Sequence, residues 1–535
     1  MRQLARPVMT VAAVAVMVLG SALAPLGAAA PGTAGCSGSA APGGDWPMYG
    51  RDYANTRTQQ DEHDLPPLKA ATLTPRWVYD TGNRSQVVGY EDIAGTPAVA
   101  QGCVYMGDAA GDVAAVDANT GHLVWRTHID LTVNETGARA GVVVSTAAVD
   151  QRQVFVAVNK SGGPYVLALD AKTGSRLWQS PPLDSQPGAY THATPIVYQG
   201  AVIVGFSGPE GVPTAQGGFT ILRESDGRLL KHTNTIPEAD QLAGDAGGGI
   251  WSTPAVDTAT GYAYVGTGNP FSKQHENPRT NAILKIDLTQ TRPTFGTIVA
   301  SYKGLIDQYA PIVRDLARPT CMLLPEDPTL PAFPPFLPPF QEARDSVACL
   351  QQDLDFGAAP NLLRGPDGAL LIGELQKSGV YHVVRADSMQ AERRILLGVG
   401  CLVCNGGSTA YDPATRQVYA DVSPGTLMVA FQPDASTASW LSPVGDGIHY
   451  QPTATADGVV YTADSTGFLD AYDARTGLQI LRRPLAIDGA IDAVAALASN
   501  GVSIANHTVY VAAGSRIIAF QPHSLLRTQR ARTNH

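Results

Sequence analysis

A chain of 535 residues with 55 glycines, 39 prolines, 44% hydrophobic residues and only 16% charged ones has the make-up of many short strands joined by tight turns, and not that of a disordered polypeptide. Its formal net charge of −10 offers no clustered cationic field for phosphates, which excludes nucleic acid as a partner. The length allows several domains, but all-β architectures run long as one unit, so a single large repeat domain is compatible with it.

Residues 1–30 begin with Arg2 and Arg6, continue as the apolar run Val11–Leu19 and end in the small residues Gly27–Ala30. This is the layout of a secretory signal, and the apolar run is short of the ~20 residues that cross a bilayer. Export is therefore expected, with a flexible segment 31–44 following the signal. Cys36, in Thr33-Ala34-Gly35-Cys36, is a candidate lipid anchor, on a sequence in which Thr33 stands where a bulky aliphatic residue is usual. With Cys36 set aside, Cys103, Cys321, Cys349, Cys401 and Cys404 remain, an odd number that leaves one thiol over in an exported chain.

From residue 45 to 522 the chain repeats itself. Thr96-Pro-Ala-Val, Ser145-Thr-Ala-Ala-Val, Thr194-Pro-Ile-Val, Thr253-Pro-Ala-Val, Ala359-Pro-Asn-Leu, Ser408-Thr-Ala-Tyr and Pro452-Thr-Ala-Thr recur, mostly at the period of propeller blades. Several are followed by an apolar strand and then by a second strand that closes in an Asp-x-x-Thr-Gly turn, as in Ala114-Ala-Val-Asp-Ala-Asn-Thr-Gly-His-Leu-Val-Trp125. A small antiparallel sheet of this kind cannot bury both faces alone, so radial stacking must supply the neighbour, with the tryptophan packed between sheets. Seven copies plus a degenerate one over Gly501–Phe520 give an all-β, eight-bladed β-propeller of four-stranded antiparallel blades. Asp45-Trp-Pro-Met-Tyr49 is the expected closing strand, and 523–535 a flexible tail.

One interval breaks the period. Between Thr253 and Ala359 lies a stretch two repeats long, and its part 304–352 is too rich in proline for strands or helices. It reads as an insertion between blades four and five, a lid or a partner-binding loop pinned by a Cys321–Cys349 disulfide. Cys401-Leu-Val-Cys404 reads as a local disulfide; it is followed by Asn405 rather than His, so it is not a c-type haem attachment site. No His-Glu-x-x-His, Walker loop or nucleophile elbow is present; Gly247-Gly-Gly lacks the Lys-Ser/Thr that a phosphate loop requires.

Gly247-Gly-Gly-Ile-Trp251, followed by Thr253-Pro-Ala-Val-Asp and Tyr264-Val-Gly-Thr-Gly-Asn-Pro270, resembles the fourth blade of the pyrroloquinoline quinone (PQQ) alcohol dehydrogenases. The resemblance implies that Trp251 forms the floor on which the planar quinone stacks and that Asn269 is a calcium ligand, roles that suit an aromatic face and a hard oxygen donor. Gln376-Lys377-Ser378-Gly379 looks like the family's strand end whose basic residue reaches the quinone oxygens. Asp353-Leu-Asp355-Phe356-Gly357 resembles the Asp-rich start of the fifth blade, closest in style to polyvinyl alcohol dehydrogenase, and makes Asp353 and Asp355 candidate catalytic bases. The chain also departs from the family: Ala94 stands near the place of a calcium-binding glutamate, with Glu91 three residues away, Gly217 near that of a quinone-binding arginine, and His192 near that of a threonine.

The resemblance implies an exported quinoprotein dehydrogenase with PQQ and calcium at the propeller axis, acting on an alcohol or hydroxylated polymer and passing electrons to a separate acceptor. The alternative is a non-catalytic propeller of the same repeats, serving as a protein-interaction scaffold or ligand-binding module in the cell envelope. The two are separated by whether Trp251, Asn269, Lys377 and an aspartate converge on one axial pocket.

Overall fold

The computed structural model describes residues 36, 43–82, 93–129, 143–160, 162–210, 212–271, 277–305, 354–398, 405–422, 427–444, 451–464, 466–485 and 501–523. The signal segment, residues 306–352 of the insertion, Glu91, Asp353, Cys321, Cys349, Cys401, Cys404 and the tail from 524 onward lie outside the described residues.

Eight four-stranded antiparallel sheets make up the fold, one of them extended by a short fifth strand. Blade 1 comprises Ala98–Ala100, Cys103–Gly107, Asp112–Asp117 and Leu123–His128, and blades 2 and 3 repeat the plan from Ala148 to Gln179 and from Ile196 to Asn234. Blade 4 comprises Ala255–Asp257, Tyr262–Gly266, Ala282–Asp287 and Ile298–Lys303; blade 5 comprises Asn361–Arg364, Leu370–Leu375, Val380–Arg385 and Ala391–Leu396. Blades 6 and 7 run from Ala410 to Pro443 and from Ala454 to Pro484. The short first strands of successive blades lie side by side around the centre, and that of blade 8 meets that of blade 1, which closes the ring.

Ring closure differs from the sequence expectation. Blade 8 is completed by Leu73–Asp80, paired antiparallel with Arg516–Pro522, so the closing strand is not Asp45–Tyr49. Leu73–Asp80 is the outer strand of the repeat, displaced to the front of the chain: Trp77 Nε1 donates to Ala118 O at 3.0 Å, as Trp125 does to Ala171 O, Trp178 to Glu224 O and Trp440 to Ala474 O, each at 2.9 Å. Each indole covers the turn glycine of the next blade (Gly121, Gly174, Gly227 and Gly477), all at positive φ, where a Cβ would be strained and would also strike the ring. At these four junctions the contact requires both the turn glycine and the tryptophan that covers it.

Residues 45–59 instead form a plug through the centre. Trp46 pairs with Val99, Pro47 O accepts from Val149 N, Tyr53 O from Val256 N, Ala54 O from Leu362 N, Thr56 O from Tyr411 N and Arg57 O from Thr455 N, while Thr58–Gln59 add a parallel strand to blade 7. Tyr53 packs edge-on against Tyr198 of blade 3, and Arg57 Nη2 and Gln59 Nε2 donate to Val502 O and Ile504 O of blade 8 at 3.0 Å. Every innermost strand is therefore held by this one segment. Arg57 is fully buried; its guanidinium also donates to Thr453 O at 2.7 Å and to Tyr49 O, which is how a buried cation without a carboxylate is satisfied.

Cys36 is joined to Cys103 by a disulfide, with Cα atoms 5.3 Å apart. That corrects two expectations: Cys103 is not a leftover thiol, and the Cys36 sulfur, committed to this bond, is not free to carry a lipid thioether.

Candidate functional site

The propeller symmetry defines one layer of side chains near the axis. The residue that leads into each new blade docks its backbone on the preceding one: Ile93 N on Gly514 O, Val143 N on Asp108 O, Ile250 N on Phe206 O and Phe356 N on Thr267 O, at 3.1–3.3 Å, with Thr191 N on the Asn159 side chain at 2.8 Å. The following residues, Ala94, Val144, His192, Trp251 and Gly357, therefore occupy equivalent places in blades 1 to 5. Ala94 and Val144 are buried against each other. His192, Trp251 and Gly357 are partly exposed, so solvent reaches the layer between blades 3 and 5.

Trp251 lies in that opening. Its six-membered ring rests on Gly357, where a Cβ would fall inside the indole, and its Nε1 donates to Asp355 Oδ2 at 2.9 Å. Asp355 Oδ1 is 2.7 Å from Lys377 Nζ, and the same ammonium stands 5.1 Å from the centroid of the Trp251 ring. Lys377 is carried by the turn between the second and third strands of blade 5, whose backbone N–H donates to Asp355 O at 3.2 Å. With 6% and 4% exposure, Lys377 and Asp355 form a buried ion pair rather than a surface contact. The turn carries the lysine inward rather than to the surface.

Asn269 borders the same place through its backbone. Its carbonyl accepts from Gly248 N at 2.9 Å, and the preceding Gly268 packs against Asp355 Oδ2 and Gly249. The Gly247-Gly-Gly run is what allows this approach, since a Cβ on Gly247 would collide with Asn269 O. Trp251, Asp355 and Lys377 are thus brought together, with Asn269 at their edge, and Asp353 falls outside the described residues. At position 217 no side chain fits, because the Gly249 backbone closes over it.

Two further groups nearby carried no local sequence signal. Glu374, on the second strand of blade 5, is fully buried, packs on Gly266, and has no hydrogen-bond partner for either oxygen among the described residues; burial pushes its carboxyl well above the usual range. His382, its cross-strand partner, is bonded to Tyr302 Oη at 2.9 Å and Gln376 Oε1 at 3.0 Å, and burial lowers its pKa to about 3. Position in the blade, two strands in from the ring centre and three residues before Lys377, is the signal that points to Glu374.

The arrangement presents an aromatic face, a carboxylate and an ammonium around one opening. It can hold a flat, electron-poor ring by stacking, accept a proton at Asp355 and stabilise negative charge at Lys377.

Comparison with known proteins bears on what that ring is. Residues 68–308 match the PQQ_2 family model, described as "Outer membrane protein assembly factor BamB". Among curated relatives, the quinohemoprotein alcohol dehydrogenase of Comamonas testosteroni is 29% identical over 260 residues, covering 44% of this chain and 35% of that protein. Polyvinylalcohol dehydrogenase of Sphingopyxis sp. (strain 113P3) is 25% identical over 486 residues, 81% of this chain and 66% of the relative. The chain spans between about a third and two fifths of the length of the first three curated relatives it matches. In structure, the Comamonas enzyme superposes with a TM-score of 0.64 at 18% identity over 90% of this chain and 81% of that one, and a europium-containing methanol dehydrogenase with 0.63 at 16% over 88% and 89%. At such identities the superpositions establish the fold.

Proposed function

From a chain built of PQQ-type propeller repeats, we propose an exported dehydrogenase that uses PQQ over Trp251 to oxidise an alcohol or a hydroxylated polymer. The observation that carries this reading is the Trp251–Asp355–Lys377 constellation: a buried ion pair is costly to desolvate and is weak evidence for stability alone, yet here it adjoins a partly exposed indole. The residues fit the quinone. The glycine at 357 lets the indole lie flat, leaving one aromatic face for stacking, and the carboxylate and ammonium stand together at its edge.

Bound PQQ supplies the two-electron acceptor for the hydroxyl-bearing carbon. Asp355 accepts the hydroxyl proton, for which its Oδ atoms are held in place by Trp251 Nε1 and Lys377 Nζ. Lys377 keeps a positive charge where reduction builds negative charge, and the low-polarity wall of Ala94 and Val144 keeps water from that side. The electrons pass to a separate acceptor. A calcium ion, if held, would use Asn269 and Asp355; among the described residues no group of three His, Cys, Asp or Glu converges, short of the six to eight oxygens calcium takes, so no step is assigned to it.

A second reading, a partner-binding propeller of the envelope, is favoured by the apolar Ala94 and closed Gly217 where polar side chains would serve a cofactor. Titration of the purified full chain with PQQ, followed by tryptophan quenching, separates the two. Saturation that is lost in Trp251→Ala supports the dehydrogenase, and alcohols are then screened with an artificial electron acceptor. No saturation at high micromolar PQQ sinks it in favour of the scaffold.

A further inference from the structure

The layer that contains Trp251 has one more polar member. His192 is five residues ahead of Val197, as Trp251 is ahead of Val256 and Gly357 ahead of Leu362, so it stands at the same level along the axis in the adjacent blade, on the side of the indole away from Gly357. Its ring is clasped edge-on by Tyr190, with centroids 5.3 Å apart and an interplanar angle of 76°. The backbone on either side of it is fixed: Thr191 N and O bond to the Asn159 side chain at 2.8 and 3.0 Å, Thr191 Oγ1 donates to Gly205 O at 2.8 Å, and Ala193 N donates to Thr191 Oγ1 at 3.1 Å. The imidazole is therefore rigidly placed and partly exposed, and among the described residues no side chain or backbone group is hydrogen-bonded to it.

A rigid imidazole with no hydrogen-bond partner among the described residues, at the level of the stacking face, is placed to serve something that comes to lie there. The layer offers it little competition. On the far side Ala94 and Val144 are apolar, and Lys377 is engaged with Asp355. The ionisable groups on the elements around it are Tyr190, whose hydroxyl donates to Glu210 Oε1 at 3.3 Å, and Lys160 at the end of the blade-2 strand Gln153–Lys160. Burial lowers the pKa of His192 to about 4, so without ligand it is neutral at physiological pH. PQQ is a tricarboxylate, and Lys377 with Asp355 makes a neutral pair, so the charge of such a ligand calls for a cation that the described layer does not otherwise supply.

We infer that His192 is a ligand-contacting residue that fixes the anionic edge of a quinone stacked on Trp251 and takes up a proton from solvent as it binds. The inference rests on the dehydrogenase reading above and adds to it a binding residue and a proton coupling. Opposite charge brought beside an imidazole favours its protonated form, and by linkage the protonated form binds the anion more tightly. A neutral hydroxyl at the same place would give a hydrogen bond but no coupling.

Calorimetric titration of the full-length protein with PQQ at pH 6, in two buffers of different ionisation enthalpy, reads the proton directly. The expected result is net uptake approaching one proton, with affinity falling at least about tenfold between pH 5.5 and pH 8. His192→Gln and His192→Thr, checked for folding by circular dichroism, are expected to bind with weakened affinity and a flat pH profile. Binding by the parent protein without proton uptake, or the same uptake in either variant, overturns the inference while leaving the dehydrogenase reading intact. Failure of PQQ to bind any of the three overturns both.

Discussion

Lys377 and Trp251 hold opposite oxygens of one carboxylate: the ammonium is 2.7 Å from Asp355 Oδ1 and the indole N–H 2.9 Å from Oδ2, with the cation itself 5.1 Å from the ring centroid. A carboxylate, an ammonium and an aromatic face are thereby fixed relative to one another.

Asp355→Asn keeps the shape of that side chain but removes the base, and its amide oxygen can accept from only one of the two donors. Turnover is expected to fall by about 100-fold or more while PQQ quenching of tryptophan fluorescence persists. Lys377→Gln leaves a buried carboxylate without its cation and is expected to cost about 3–5 kcal/mol in urea denaturation. The double variant Asp355→Asn/Lys377→Gln removes both charges and is expected to recover most of that stability but none of the activity. Additive losses in the double-mutant cycle contradict a coupled pair.

At Gly357 the test is steric. A methyl group there cannot coexist with the Trp251 ring where it lies, so Gly357→Ala tilts the indole away from its seat. Affinity for PQQ should drop about tenfold or more, with far-ultraviolet circular dichroism unchanged. Unaltered binding places the ligand elsewhere.

Glu374 is expected to make the protein less stable as pH rises. A carboxyl whose pKa is raised on folding contributes its full share below its unfolded value, near 4.5, and that share is lost as pH climbs towards the folded value. Glu374→Met, apolar and of similar length, has no such dependence. It is expected to be more stable than the parent at pH 7–8, with the gap closing towards pH 4.5. A gap that does not change with pH means that Glu374 is charged and paired in solution.

His507 acts in the opposite direction to an ordinary buried histidine. Its Nδ1 is 2.8 Å from Glu62 Oε1, and the hydrogen bond to that carboxylate, ahead of the opposing effect of burial, raises its pKa above 6.5. The raised value means the contact is fully stabilising below about pH 6.5 and is lost as pH rises through the folded pKa. His507→Gln should therefore lose stability relative to the parent at pH 6 and little at pH 9, in thermal unfolding.

The propeller was legible because its signal is repeated: Thr-Pro-Ala-Val starts and Asp-x-x-Thr-Gly turns return at blade spacing, and the turn glycines Gly121, Gly174 and Gly477 prove to be seats of a tryptophan from the neighbouring blade. Closure by Leu73–Asp80 was missed because the strand is separated from the rest of its blade by the whole ring, although Trp77 carries the same mark as Trp125. Trp251, Asp355 and Lys377 were each found by local motif, but only the fold selects Asp355 as the partner of both others. Glu374 has no motif and is identified by burial, which does not exist until the blades are stacked, whereas the five-residue offset that places His192 is carried by the repeat itself, and only the fold shows which layer it enters.

The plug has a consequence for how the chain must be made. Arg57 and Gln59 are synthesised early, yet their carbonyl acceptors Val502 and Ile504 are 445 residues downstream, and Leu73–Asp80 waits for Arg516–Pro522. Neither contact can form until almost the entire polypeptide is available, so the central segment, which meets blades 1 and 2 through Trp46 and Pro47, must wait for its last acceptors, and the last loops to close are also the longest. A truncated chain lacking blade 8 would lose acceptors for the centre and the partner for its outer strand together. Completion of synthesis is thus built into the hydrogen bonds of residues 57–80, and an unfinished copy has no way to look like a finished one.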